Sequence, residues 1–475
     1  MSKAKTILRG AFCASLMAAT SVVAIGQAEA GGFAVREQSS SYLGSAFAGS
    51  AAGGDLSSMY WNPAAVTAKQ GINMEGHAAL IIPNSDLTAT GGTLFGTGTS
   101  RGSGEIGNDA IVPATYLNYQ LSDIHPSLYV GMAINSPFGL VTEPENDTWD
   151  GAQIGRTAKV FNLNVNPIVG YQVMPGLSVA AGLQISYIDA TLKFASGSPF
   201  GANTFFRGED YDLGWTLGAL MEPFEGTKVG VGYRSEINHD IEGKLGDNVP
   251  PIALPSPPFP PGSFFPTGAR YGSSVDLTLP EIVTVSLSQA VSQNLRLLGT
   301  FEWTAWSKFD KLNVVPNTTE NVGLAAIAAL TPPGGPTPFV EGENFLTIVA
   351  EWDDAWFLSG GAEYDYSDRL TVRGGVAYEE SPIQNAEQRL TVVPDTNRVW
   401  LSAGATYAMT DYMSVDLAYT HIFYEDGTFN RETTIDEELT LIGDVETSVD
   451  IIGVSAKIKL GGEDEPVPVA AVPLK

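Results

Sequence analysis

Residues 31–70 read GGFAVREQSSSYLGSAFAGSAAGGDLSSMYWNPAAVTAKQ. The stretch is rich in glycine, alanine and serine, carries one good turn signal at Asn62-Pro63, and shows no clean strand alternation. A segment of such small side chains packs inside something else. The residues that follow it do alternate, almost to the end of the chain, so the expected layout is an all-β enclosure built around residues 31–70.

Upstream of that stretch, Lys3, Lys5 and Arg9 precede a small, mostly apolar run from Ala11 to Ile25, and Ala28-Glu29-Ala30 forms an A-x-A cleavage site before Gly31. Residues 1–30 are expected to be a cleaved secretory signal peptide, since the run is too short for a membrane anchor. The single cysteine, Cys13, would leave with it, and the mature chain would hold no disulfide or thiolate metal site. Nothing downstream approaches the roughly 18 consecutive apolar residues of a membrane helix, which leaves an exported soluble protein or a transmembrane barrel.

A formal charge of −28 argues against nucleic acid or anionic membrane surfaces as partners. The acidic residues collect in expected loops, Glu143 to Asp150, Glu425 to Glu438 and Glu463-Asp464-Glu465. They read as a solvated surface, with bridging of divalent cations to lipid head groups left open.

The choice between sandwich and barrel rests on strand length. From Leu177 to Tyr187, Leu177, Val179, Ala181, Leu183, Ile185 and Tyr187 face one way and Ser178, Ala180, Gly182, Gln184 and Ser186 the other. Comparable segments lie near 71–83, 110–121, 127–139, 158–173, 177–195, 211–222, 227–241, 273–290, 293–312, 351–366, 368–380, 398–409, 412–424 and 446–460. Sandwich strands average about half the length of the longer ones. The even count and the alternation of short turns with long connections predict a 14-stranded antiparallel transmembrane β-barrel over 71–460. Residues 461–475 read as a disordered acidic and proline-containing tail. Near the end of the third strand, Asn135-Ser136-Pro137-Phe138-Gly139 should break the ladder, because proline lacks an N–H and glycine permits a bend; Asn166-Pro167 is placed to face the same break.

Two connections are more apolar than exposed loops should be. Asp247 to Gly268 is proline-dense and carries Phe259, Phe264 and Phe265, while Ala195 to Tyr211 carries Phe200, Phe205 and Phe206; a third, Asn313 to Phe345, holds an expected short helix at Val322 to Leu330. An apolar ligand groove and a mutually packed cap both explain them.

Catalytic motifs are out of context. Gly98 to Gly102 fits G-x-S-x-G and Gly102 to Gly107 fits G-x-G-x-x-G, but both sit in one Gly/Thr/Ser loop without a strand-to-helix turn or a βαβ unit. His77, His125, His239 and His421 are singletons, so no His-based metal site, cofactor or enzyme activity is expected, although a Ser/His pair on a barrel wall stays open.

Several stretches resemble the FadL family of outer-membrane transporters of long-chain fatty acids and other hydrophobic compounds. They are Gly31-Gly32-Phe33, Ser39-Ser40-Ser41, Gly44, Tyr60-Trp61-Asn62-Pro63-Ala64, Leu279-Pro280-Glu281, Thr304 to Phe309, Arg373 to Tyr378 with Ser381-Pro382, and Pro394 to Gly404, in that order. The resemblance implies a barrel plugged by residues 31–70 with Asn62, Pro63 and Ala64 in the plug, passive uptake of a hydrophobic small molecule, a loop groove at Phe205, Phe206, Phe259, Phe264 and Phe265, and a deeper pocket. By motif position Phe33, Asp354 and Arg398 are implied at that pocket, with an interior salt bridge as the alternative role for the last two. It also implies sideways exit into outer-membrane lipid through an opening at Asn135, Pro137, Phe138 and Gly139. A single chain closing its own barrel is expected as a monomer; aromatic hydrocarbons as cargo, and a general porin, are the competing readings.

Overall fold

The computed structural model describes residues 31–92, 102–143, 154–195, 203–247, 252–253, 264–265, 270–317, 346–432 and 440–461. The expected signal peptide, Phe200, Phe259, Val322 to Leu330, most of the three acidic clusters and the tail from residue 462 lie outside them.

The alternating segments close into a 14-stranded antiparallel barrel. Its strands are β1 (Ile72–Gly92), β2 (Gly102–Glu105 and Ala110–Gln120), β3 (Leu128–Asn135 and Gly139–Thr142), β4 (Thr157–Met174), β5 (Leu177–Ala195), β6 (Asn203–Phe224) and β7 (Thr227–Arg234 and Ile237–Asp247). The second half comprises β8 (Arg270–Leu279 and Ile282–Ala290), β9 (Leu295–Thr304 and Lys311–Asn317), β10 (Leu346–Val349 and Ala355–Ser367), β11 (Leu370–Glu379), β12 (Arg398–Thr410), β13 (Met413–Tyr424 and Gly427–Glu432) and β14 (Thr440–Gly461). Each strand pairs with the next, and β1 pairs with β14 from Ile72 opposite Gly461 to Gly92 opposite Leu441, which removes every free edge.

On β5 the outward residues Val179, Leu183 and Ile185 are exposed and apolar, while the inward Ser178, Gln184 and Ser186 are buried and polar. This inversion of a soluble protein's pattern is what a wall bathed in lipid requires. Short turns such as Met174 to Leu177 lie on one rim and the long connections on the other.

Residues 31–70 fill the lumen. One helical turn, α1 (Ser40–Leu43), and two 3₁₀ turns, Leu56–Tyr60 and Pro63–Thr67, carry the plug down from the long-loop half to the short-turn rim. Its backbone lies against wall glycines: a Cβ at Gly230 or Gly232 of β7 would collide with the carbonyls of Ala51 and Trp61. Asn62 accepts from the Ala64 N–H at 3.0 Å, capping the Pro63 turn, and donates to the carbonyls of Ala51 and Ala219, both at 2.9 Å. Near the short-turn rim Asp55 pairs with Lys457 of β14 at 2.6 Å and Lys69 at 3.2 Å. Glu75 of β1 accepts from the N–H groups of Leu56 and Ser57.

Several strands run longer than periodicity suggested. β1 reaches Gly92, β14 begins at Thr440, and β6 begins at Asn203, so Phe205 and Phe206 are wall residues and not loop residues. The glycine motif at Gly102 to Glu105 is a strand paired with Asp86 to Ala89. Conversely, β7, β8 and β9, expected as continuous, are interrupted at Ser235-Glu236, Pro280-Glu281 and Ala305 to Asp310, and β10, expected from residue 351, has an earlier piece at Leu346–Val349 and a break at Ala350 to Asp354. Pro280 cannot donate to a ladder, and the breaks fall on adjacent strands.

Candidate functional site

Those adjacent breaks let side chains turn inward that a regular strand would hold flat. Trp306 sits on a 3₁₀ turn (Trp306–Lys308) in the β9 break, with Phe309 just beyond it, and Trp352 sits in the β10 break. Phe33 of the plug lies at the centre of their cluster, with ring centroids 5.0 Å from Trp306, 5.3 Å from Phe309, 6.1 Å from Trp352 and 5.8 Å from Phe138 in the β3 break. The contacts are mostly edge-on or tilted, as ring quadrupoles prefer. Gly32 adopts a φ of 67°, and a Cβ there would press on Trp306 and Trp352. Phe206, Ile188, Ile237, Leu279 and Ile282 extend the apolar lining. Phe33 fills this chamber so well that the neighbouring cavity, bounded by Val35, Arg36, Ile282, Glu302 and Trp306, measures only about 20 Å³.

Beside the chamber lies a buried charge cluster. Arg36 bonds Glu302 at 2.6 Å and Glu379 at 3.1 Å; Arg398 bonds Glu379 at 2.9 Å and Asp395 at 2.6 Å. Trp400 Nε1 also donates to Glu379, Ser381 Oγ to Asp395, and Arg398 to the Tyr424 hydroxyl. Arg36 stacks 3.9 Å above the Phe357 ring. Three of the cluster's atoms are buried without a hydrogen-bond partner, Arg36 Nε, Arg398 Nη2 and Glu37 Oε2. Burial raises the Asp395 carboxyl above its ordinary range despite Arg398, and pushes Glu37 up to about 7.

Asp354 is not part of this cluster. It is exposed and accepts from the Ser307 N–H at 3.0 Å, closing the turn under Trp306, so Glu379, Asp395 and Glu302 are the carboxylates that face the arginines. Of the loop phenylalanines, Phe206 joins the chamber lining and Phe264-Phe265 pairs its backbone with Ile252-Ala253.

The third feature is a break in the wall. The β2–β3 ladder ends at Thr115 opposite Ile134, and between Asn135 and Gly139 the plug supplies the partners that wall strands would otherwise give. Val35 N–H donates to Pro137 O at 2.8 Å and Gly139 N–H to Phe33 O at 2.9 Å. The Gln38 amide serves Ser136 twice, accepting from its N–H at 3.2 Å and donating to its carbonyl at 2.7 Å. Asn166-Pro167 does not face this gap. It lies opposite Ala133 and Met132, and it disturbs the β4–β5 ladder instead.

A Ser/His/Asp relay also exists on the inner wall, where Ser186 Oγ lies 3.1 Å from His239 Nε2 and His239 Nδ1 lies 2.8 Å from Asp210. Asn162 Nδ2 already donates to Ser186 Oγ, and the residue sits mid-ladder between Asn164 and Asp212, which commits the backbone donors an oxyanion would need. The relay is a polar tie between strands.

Sequence reasoning passed over Trp306, Phe309 and Trp352, and the partners Arg36, Glu302, Glu379 and Asp395. For the aromatics a signal existed in the run of breaks at Pro280 and Trp306-Ser307-Lys308. For the ion pairs there was none, since Arg36 and Glu379 are 343 residues apart.

Residues 21–460 match the family model described as outer membrane protein transport protein (OMPP1/FadL/TodX). The chain is 28% identical over 439 residues to a long-chain fatty acid transport protein of Escherichia coli O6:H1, covering 86% of this chain and 91% of that protein. It is 27% identical over 437 residues to its counterpart in Salmonella typhi, with coverage of 86% and 92%. Among solved structures, a Pseudomonas aeruginosa FadL homologue superimposes with a TM-score of 0.74 at 19% identity, covering 90% of this chain and all of that one. The Pseudomonas putida toluene transporter TodX does so at 0.60 and 15% identity, over 86% and 95%. A plugged barrel with an apolar chamber, matched along nearly its whole length, belongs to the OMPP1/FadL/TodX family: this chain is an outer-membrane transporter of hydrophobic compounds.

Proposed function

We propose that the chain takes up long-chain fatty acids or similar hydrophobic molecules passively, binding them in the chamber now filled by Phe33 and releasing them sideways through the β3 gap into the bilayer. One observation carries this reading: the residue that fills the chamber belongs to the short segment that patches the wall. A ligand chain that takes the place of Phe33 removes the acceptor of the Gly139 N–H and loosens the neighbouring bond from Val35 to Pro137. Such a path spares an apolar molecule the aqueous periplasm. Arg398 Nη2, buried without a partner beside the chamber, supports a carboxylate head group.

The five-ring chamber favours a second reading, aromatic hydrocarbons as cargo, and the likeness in fold to a toluene transporter is in keeping with it. A general porin fits poorly, because the packed plug occupies the lumen where a porin keeps water.

The test is a double substitution, Pro137→Val with Gly139→Val. A Cβ at Gly139 would meet Val35 at 3.4 Å, an ordinary contact, so folding is expected to survive. Uptake of radiolabelled fatty acid should be abolished while extracellular binding persists. Wild-type uptake in a variant whose wall is closed would exclude sideways exit.

A further inference from the structure

The charge cluster holds four buried carboxylates, Glu37, Glu302, Glu379 and Asp395, of which the last three are ion-paired with two buried guanidinium groups, Arg36 and Arg398. Among the described residues two further guanidinium groups lie nearby and are attracted by Asp395 and Glu302, but neither forms an ion pair with the cluster. Arg389 bonds the carbonyls of Asp395 and Thr428, and Arg234 bonds Gln184, the Tyr60 carbonyl and the Tyr60 ring. The carboxylates thus outnumber the guanidinium groups paired with them, and because a buried charge is costly unless it is paired, a further cation in direct contact would stabilise the cluster.

The plug brings one there. Gly31 N lies 3.2 Å from Glu379 Oε1, and Gly32 N lies 2.9 Å from Asp395 Oδ2. A Cβ on Gly31 would stand 3.1 Å from Arg398 Nη2 and 3.2 Å from Glu379 Oε1, so the space at this position is that of a glycine. In the precursor Gly31 N is a neutral amide. After cleavage behind Ala28-Glu29-Ala30 it is the α-ammonium of the mature chain.

We infer that the mature α-ammonium group of Gly31 is the third cation of this cluster, ion-paired with Glu379, and that signal-peptide removal thereby completes the charge balance of the ligand chamber. The inference rests on cleavage before Gly31. Glu379 bridges the new cation and both guanidinium groups, which offsets the repulsion between the ammonium and Arg398. One extra residue at the mature start would carry the charge away and leave the carboxylates in excess.

The test uses the full-length protein, exported, purified from outer membranes in detergent, and weighed intact. Two changes are combined: an alanine inserted between Ala30 and Gly31 in a form processed ahead of the insertion, and Glu302→Gln. The latter removes one negative charge and keeps its bond, because the new amide can donate to Thr284 Oγ1, which now donates to Glu302. The insertion alone should lower the temperature at which the heat-modifiable folded band is lost by several degrees, and in the Glu302→Gln background by less than half as much. Trace acetylation should modify the Gly31 α-amine at least tenfold more slowly in the folded protein than after denaturation. A mass showing another mature start overturns the cleavage reading and the inference with it. The correct mass with additive temperature shifts, or with folded-state acetylation at the denatured rate, overturns the inference alone.

Discussion

Val35 donates its N–H to the carbonyl of Pro137 at 2.8 Å, a plug residue completing a wall strand that proline has broken. Val35→Pro deletes that donor without touching the barrel ladder. The lost bond is worth about 1 kcal/mol, enough to raise local opening severalfold but too little to unfold the barrel. Hydrogen exchange at residues 135–139 should accelerate while heat resistance of the barrel stays put. Unchanged exchange would mean that the plug merely lies against the gap.

Arg398 is held by two buried carboxylates, Glu379 at 2.9 Å and Asp395 at 2.6 Å. Arg398→Ala should weaken binding of a fatty acid by roughly 1.5 to 3 kcal/mol more than binding of the matching alkane, if Nη2 meets the head group directly. Titration of both ligands into the same preparation decides it. Equal losses would assign Arg398 to the structural ion-pair network alone.

Deleting residues 31–65 takes away the packed filling but none of the wall strands, whose seam closes through β1 and β14. The truncated barrel should still assemble and should conduct ions across a planar bilayer, where the intact protein does not. Assembly without conductance would show that residues outside the plug block the lumen.

Glu37 gives a pH signature. Burial, reinforced by the nearby Glu379 charge, lifts its carboxyl from an ordinary 4.5 to about 7. The folded state therefore binds the proton more tightly than the unfolded one, and stability should fall as pH rises from 4.5 to 7, then level off. The loss is at most roughly 3 kcal/mol by linkage. Glu37→Gln should flatten that slope and raise stability at pH 8. A melting series at pH 5, 6, 7 and 8 checks it, and identical slopes in both proteins would refute the assignment.

Strand identity was legible because a lipid-facing wall forces apolar residues to every second position, as Val179, Leu183 and Ile185 show. Boundaries near the long-loop rim were not, since beyond the lipid the outward residues of β1, β6 and β14, such as Asp86, Arg207 and Asp444, meet water while the inward Leu87, Phe206 and Val445 are buried and apolar, the reverse of the lipid-facing pattern. The plug announced itself through its small residues, and the β3 break through Pro137. The chamber stayed hidden for a different reason. Phe33, Phe138, Trp306 and Trp352 come from four separate parts of the chain, and only closure of the barrel brings them within about one ring's width of each other. Asp354 shows the limit of reading position from a motif, because β10 resumes only at Ala355 and leaves this carboxylate exposed in the preceding break.

The glycine nests at Gly230 and Gly232 constrain the order of events during biogenesis. The plug is covalently continuous with β1, whose first residue, Ile72, lies at the short-turn rim, yet Phe33 sits far up the lumen among Trp306 and Trp352. Once β1 has zipped to β14, Trp61, Tyr60 and Tyr42 would have to thread upward through a cylinder whose glycines leave clearance for the plug backbone and little more. The plug must therefore be laid against the nascent sheet while it is still an open, curled ribbon, and the final seam shuts over a filling that is already in place.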